Sequence, residues 1–255
     1  MTTAPRTFRL QPGLHSGFTL VELMISIVIA LFLCAGMLAV TFSVRNSFRT
    51  QDGLTRMQEN ARFLLSVMNT AVHNAGYYPD PLNTTLLTAF PVPANANPDG
   101  TTFSAGQFVT GVTGSGGAGD TLNVRFQSAP GDGLTSCNGD TNTGTVPVVY
   151  TNSFSVNALG QLVCAVSIDG AKPSAAAVLI DNVSSMALLF SIDTDADGAV
   201  DTYKSATAVS AAALWNTVGA VRITLTSKDL VNSNAAATVN LPNKLVHSIN
   251  FMNRP

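Results

Sequence analysis

Residues 17–42 read GFTLVELMISIVIALFLCAGMLAVTF, and this stretch decides how the rest of the chain must be built. From Phe18 to Phe42 there are 25 residues with no Lys or Arg and one ionisable carboxylate, Glu22. An α-helix rises about 1.5 Å per residue, so a run of this length crosses the ~30 Å hydrocarbon core of a bilayer. The apolar region of a secretory signal is shorter, about 7–15 residues, and its cleavage site follows it. Here no small-residue A-x-A pattern follows Phe42. The candidate scissile bond lies before the apolar run, so the helix is expected to stay in the mature protein.

The remaining composition fits a membrane-held chain. Of 255 residues 46% are hydrophobic and only 11% charged, with a formal net charge of −2. That balance argues against a nucleic-acid footprint and against an acidic interaction tail. Mean hydropathy is +0.27, an excess that the apolar run explains in part. The length suits one generous domain or two small ones.

Upstream of the run, residues 1–17 carry Arg6, Arg9 and His15, no acidic residue, and the helix-unfriendly pair Pro12-Gly13. The stretch GFTLVELMISIVIALFL resembles the class III signal of type IV prepilins and type II secretion pseudopilins. The resemblance implies a leader of residues 1–17, cut after Gly17 by a membrane aspartyl protease, the prepilin peptidase. That enzyme would methylate the new N-terminus at Phe18, making Glu22 the fifth mature residue. A carboxylate in lipid costs up to ~2.5–3.5 kcal/mol at the bilayer centre, less near its edge, unless paired. In the family its partner is the N-terminal amine of a neighbouring subunit, which sets axial register. The residues alone also allow Glu22 to snorkel, or to pair with its own Phe18 amine. Charge does not settle topology, because Arg6 and Arg9 precede the helix while Arg45, Arg49, Arg56 and Arg62 follow it. The cleavage motif implies a cytoplasmic N-terminus and a periplasmic head in the inner membrane, later carried to the pilus and cell surface.

After residues 18–42 the chain turns amphipathic over residues 43–76. Apolar positions Leu54, Met57, Ala61, Leu64, Met68, Ala71 and Ala75 are spaced by three and four, a stripe that seeks a packing surface. Gly76 and Pro79 end the segment. Gly36 and Gly53 are weak points in a helix predicted from Phe18 to about Ala75, and its apolar half contains no Pro.

Residues 77–255 read as a β-rich head. Eleven glycines between Gly100 and Gly144 mark ordered loops with short strands such as Thr121–Phe126. Gly114–Gly119 spells G-x-G-x-x-G, but the strand-like TLNVRF follows where a dinucleotide site requires a helix, so the segment is read as a loop. Strand signals cover Val146–Tyr150, Leu162–Ile168, Val178–Ile192, Val218–Ser227 and Lys244–Met252, with a short helix over Ala206–Leu214. The fold class is α+β, a long N-terminal helix packed on an antiparallel sheet head, which the resemblance equates with the type IV pilin fold. LTRMQENARFLLSVMNTAVHNAGYY and the closing LVHSINFMNRP resemble the PilW-type minor pilins, with thin likeness between Pro79 and Val178.

No catalytic constellation is visible. His73 and His247 have no Ser or Cys motif beside them and read as structural or solvent-facing, and Cys34 reads as a small buried hydrophobe. Cys137 and Cys164 lie 27 positions apart in the exported part, where a disulfide is expected. Asp193, Asp195, Asp197 and Asp201 occupy positions 1, 3, 5 and 9 of a turn with Gly198 at 6. Alternating carboxylates around a Gly turn, with the Ala199 carbonyl, suit Ca²⁺. Lys204 at position 12 removes the bidentate Glu of the strongest such loops, so weak affinity is expected; the alternative is a solvated acidic turn.

The resemblance thus implies a non-catalytic minor pilin acting in pilus initiation or at the tip. Its partners would be prepilin peptidase, other minor pilins and the major pilin, the inner-membrane assembly platform and a tip adhesin, with no nucleic acid. A GspJ-like minor pseudopilin of type II secretion shares the cleavage motif and helix. A membrane-anchored binding or enzyme domain that never assembles is a third reading, and such a protein would not need the site at Gly17.

Overall fold

The computed structural model describes residues 17–115, 119–195, 197–227 and 244–253. The expectations for leader residues 1–16, with Arg6, Arg9 and His15, lie outside the described residues.

The helix α1 runs unbroken from Leu20 to Asn74, 55 residues, through both Gly36 and Gly53. Thr19 starts it: its Oγ1 accepts the Glu22 N–H (3.3 Å) and its carbonyl accepts the Leu23 N–H (3.1 Å). A Thr with Glu three residues on is a helix-start pattern, and Glu22 in the first turn also suits the helix dipole. At the other end Gly76 adopts φ 78° and donates its N–H to the Arg125 carbonyl (3.0 Å). A Cβ there would meet the Asn253 carbonyl at 2.7 Å, so glycine is required. The Asn253 amide donates in turn to the carbonyls of His73 (2.9 Å) and Ala75 (3.3 Å), tying Asn253 to the end of α1.

The chain divides into two compact units between Gln51 and Asp52. In the first, the apolar side chains of α1 are exposed; Phe32 is 80% accessible and free Cys34, expected to be buried, is exposed as well. Burial of this segment needs lipid or other subunits, which a single chain does not supply. In the second unit the predicted stripe is largely realised. Leu64, Met68, Ala71 and Ala75 are buried together with Val72, while Leu54 and Ala61 are half-buried. Each large apolar side chain buried this way contributes ~1.5–3 kcal/mol.

The head contains two antiparallel sheets where the sequence predicted one. The first is a meander of β1 (Val109–Val112), β2 (Thr121–Ser128), β3 (Val148–Val156), β4 (Leu162–Ile168) and β5 (Ala177–Ile180), in chain order. The second has the order β7-β6-β8-β9, from β6 (Val183–Ile192), β7 (Thr202–Lys204), β8 (Val218–Ser227) and β9 (Lys244–Asn250). The predicted strand Val178–Ile192 is therefore two strands in different sheets. The break falls at Asp181-Asn182, where Asn182 takes φ 61°, a conformation Asn tolerates better than most residues. Two short helices, α2 (Leu86–Ala89) and α3 (Ala206–Ala211), and a 3-10 turn at Trp215–Thr217 are the other helical elements among the described residues; α3 fills most of the predicted Ala206–Leu214. One hydrophobic core joins α1 to both sheets. Asp120 bridges them: its carboxylate accepts the N–H groups of Leu188 (2.6 Å) and Gly114 (2.8 Å), while its own N–H donates to the Met186 carbonyl (2.7 Å). The described part of the glycine-rich stretch 114–119 leads into β2, as the loop reading requires.

The segment between α2 and β1 folds back over the outer face of the first sheet and buries Arg125 of β2 to 2% exposure. Its guanidinium donates to the carbonyls of Gln107 (2.6 Å), Pro91 (2.7 Å), Phe90 (3.1 Å) and Ser104 (3.0 Å), and packs on the rings of Phe90 and Phe103. Burial pushes the guanidinium down to about 10, still protonated at neutral pH. Asp99 of the same segment holds it to β2, accepting from Asn123 (2.7 Å) and Thr121. Burial pushes this carboxyl up, but hydrogen bonds from Thr121, Thr101 and Asn123 together hold it below its ordinary value.

Cys137 and Cys164 form a disulfide with Cα atoms 6.4 Å apart, tying the loop before β3 to β4. Closing a loop of 27 positions contributes about 3–4 kcal/mol in the chain-entropy model. Peptide mapping without reductant is expected to recover the Cys137–Cys164 pair with Cys34 free, and Cys164→Ser to lower the melting temperature by roughly 10 °C. Alkylation of both thiols in freshly isolated protein would refute the bridge.

Candidate functional site

At the N-terminal site, Gly17, Phe18 and Thr19 form a short irregular lead into α1, and all three are exposed. Phe18 is 79% exposed. Glu22 lies one turn into the helix, exposed, and no hydrogen bond or ion pair joins its carboxylate to another described residue. Its backbone is held by Thr19 while its charge is unspent. An apolar helix surface with one uncompensated carboxylate near its start is suited to a cationic group supplied from outside the chain. The helix is long and apolar enough to cross a membrane.

The acidic turn joins β6 to β7. One carboxylate oxygen from each of Asp193, Asp195 and Asp197 lies within 4.8 Å of the others. Asp201 does not join them. Its carboxylate accepts the Thr194 N–H (2.7 Å) and the Thr194 hydroxyl, and these bonds hold it below the usual carboxylate value. Local backbone N–H groups answer the other three: Gly198 donates to Asp193 (3.1 Å), Asp197 to Asp195 (3.3 Å) and Ala199 to Asp197 (2.7 Å). The carboxylates are thus partly accommodated by the turn itself. Ala196 lies outside the described residues, and Lys204 sits in β7 opposite Phe190.

The two histidines take structural places. His73 is in the last turn of α1, and His247 Nε2 lies 3.2 Å from Asn69 Oδ1, linking β9 to α1. The sequence reading did not find the Thr19 helix start or the Arg125 cluster; the T-x-x-E spacing of Thr19 and Glu22 was the available signal for the first.

Residues 14–38 match the prokaryotic N-terminal methylation motif. Residues 149–249 match PilW, the Type IV Pilus-assembly protein W family, a span that runs from β3 into β9. The match begins well before Val178 and does not include the resembling stretch that starts at Leu54. No curated protein matches the chain. A methylation motif at the start of a membrane-length helix, followed by an antiparallel head, defines a membrane-anchored type IV pilin-like protein. The chain is type IV pilin-like, and over residues 149–249 it is similar to the PilW family.

Proposed function

We propose that the protein is a minor pilin that takes part in initiating a type IV pilus or in its tip complex, after prepilin peptidase cuts behind Gly17. The observation that carries this reading is the exposed apolar helix whose first turn, after a Gly17-Phe18 junction, holds Glu22 with no partner among the described residues. Partners on this reading are other minor pilins, the major pilin, the assembly platform and a tip adhesin. The N-terminus faces the cytoplasm and the head the periplasm until assembly carries it to the surface. A GspJ-like pseudopilin of type II secretion is the nearest alternative, and the PilW match of the head favours the pilus. Gly17→Leu is expected to abolish processing, leaving the full-length precursor in the inner membrane on immunoblots. Normal maturation of that variant would contradict the reading.

A second reading concerns the acidic turn, which we propose binds Ca²⁺ weakly through Asp193, Asp195 and Asp197 with the Ala199 carbonyl. The proximity of the three carboxylates supports it. Asp201 would act by holding Thr194 rather than as a direct ligand. Millimolar Ca²⁺ is expected to raise the melting temperature of the mature protein by a few degrees over chelator, since ligand at several times Kd contributes about 1 kcal/mol. The double variant Asp195→Ala, Asp197→Ala should lose that difference. An unchanged melting temperature and no heat of binding would leave a solvated turn.

A further inference from the structure

Past the apolar run, α1 carries two cations before its next carboxylate. Arg45 is the first charged residue after Glu22, and Arg49 follows one helical turn later on the same face. Both are exposed, and no hydrogen bond, ion pair or ring contact joins either guanidinium to another described residue. Asp52, the next carboxylate in the chain, forms an ion pair with Arg56 at 3.0 Å. Phe48, between the two arginines in sequence, is 66% exposed.

The length of the helix fixes the depth of this pair. About 35 Å of helix separates Glu22 from Arg45. That is a little more than the ~30 Å hydrocarbon core and less than the ~40–45 Å of a bilayer with its headgroups. With Glu22 at one edge of the core, Arg45 lies in the opposite headgroup layer and Arg49 about 6 Å farther out. Side chains on a helix lean toward its N-terminus, which draws both guanidinium groups back toward the phosphates.

We propose that Arg45 and Arg49 bind the headgroup phosphate of an anionic phospholipid and so hold α1 at a fixed depth in the membrane. The inference needs only that α1 spans a membrane, and it stands apart from the minor-pilin reading. The surroundings at that depth select the occupant. Phosphate oxygens are abundant there, and the chain itself supplies no carboxylate between Glu22 and Asp52. Each guanidinium presents paired N–H donors that match two phosphate oxygens. A zwitterionic headgroup answers its phosphate with its own amine, so two adjacent arginines favour a lipid whose phosphate charge is uncompensated. Phe48 adds apolar contact at the same level, where aromatic side chains are commonly found.

The test embeds the protein, with α1 intact, in vesicles of phosphatidylcholine and phosphatidylglycerol in equal parts. The protein is then extracted in mild detergent, and native mass spectrometry counts the lipids it retains. Phosphatidylglycerol is expected to be retained over phosphatidylcholine by about tenfold or more. The double variant Arg45→Gln, Arg49→Gln should bring that ratio close to one, while Arg56→Gln should leave it unchanged. All three positions are exposed, so helicity by circular dichroism and the melting temperature should stay at wild-type values. Equal retention of the two lipids by the wild-type protein overturns the proposal. So does a preference that survives in the double variant; if that variant also loses other pilins in pull-downs, the arginines belong to a subunit contact instead. Release of the bound lipid by millimolar inorganic phosphate would show that the pair takes the free anion as readily, and overturns the lipid as occupant.

Discussion

Replacing Glu22 with Ala is expected to leave the protein in the membrane and processed, yet to reduce its recovery with other pilus subunits by about tenfold or more. The substitution removes the one carboxylate of a 25-residue apolar run, so membrane residence can only gain. The start of α1 survives, because Thr19 caps the helix through the Glu22 backbone N–H and not through its side chain. What disappears is a charge with no partner among the described residues. An ion pair in lipid that offsets even half of the ~2.5–3.5 kcal/mol cost of a buried carboxylate is worth about a factor of ten in association. Glu22→Gln keeps the size and loses the charge, so it should fail to assemble as Glu22→Ala does. Wild-type recovery of either variant in pull-downs from membranes would reject the pairing role of Glu22.

Arg125→Ala is expected to destabilise the head by about 3–5 kcal/mol, or roughly 10 °C in melting temperature. The guanidinium sits at 2% exposure and is the donor for four main-chain carbonyls between Phe90 and Gln107. Truncation removes this donor from all four carbonyls, of which, among the described residues, only those of Phe90 and Ser104 keep a backbone N–H, from Gly106 (2.8 Å) and Gln107 (3.2 Å), and it opens a cavity beneath the segment that leads into β1. Arg125→Lys should recover less than half of the loss, since an ammonium has three donors and lacks the planar fork that reaches carbonyls on several sides. Thermal denaturation followed by circular dichroism checks both variants. A melting temperature within two or three degrees of wild type, roughly 1 kcal/mol, would show that this cluster is not what pins the segment to β2.

The parts of the molecule legible in the sequence are those governed by local periodicity. The stripe through Leu64, Met68, Ala71 and Ala75 foretold which face of α1 is buried, because a helix fixes its own facing. β4 and β8 occupy the predicted Leu162–Ile168 and Val218–Ser227, each a β-branched run bounded by turn residues. β3 reaches Val156, beyond its predicted end at Tyr150, through polar Asn152 and Ser153. Asn152 is tolerated inside because its side-chain oxygen accepts the Cys137 N–H (3.0 Å) across the fold. The two-sheet arrangement was hidden for a similar reason. Val178–Ile192 is continuously strand-like, and the left-handed turn at Asn182 is something Asn permits without announcing it. Arg125 is a charged residue within the predicted strand Thr121–Phe126, and the segment that folds back over it makes it buried.

At the sites, residue type and spacing singled out the Gly17–Phe18 junction and the acidic turn, and the structure brings three of the four Asp carboxylates of that turn together. Asp201 fits a ligand position by number, but a neighbouring threonine offers it two donors that a spacing rule does not weigh.

The central claim is that this protein is cut and assembled as a pilin, and the mature N-terminus tests it most directly. Intact-mass and N-terminal fragment spectra of the protein taken from purified fibres should show a chain that begins with N-methylated Phe18 and retains Glu22 at its fifth position. Removal of 17 of 255 residues leaves 238. A chain in those fibres that still begins at Met1, with an unmodified Gly17–Phe18 bond, would contradict it.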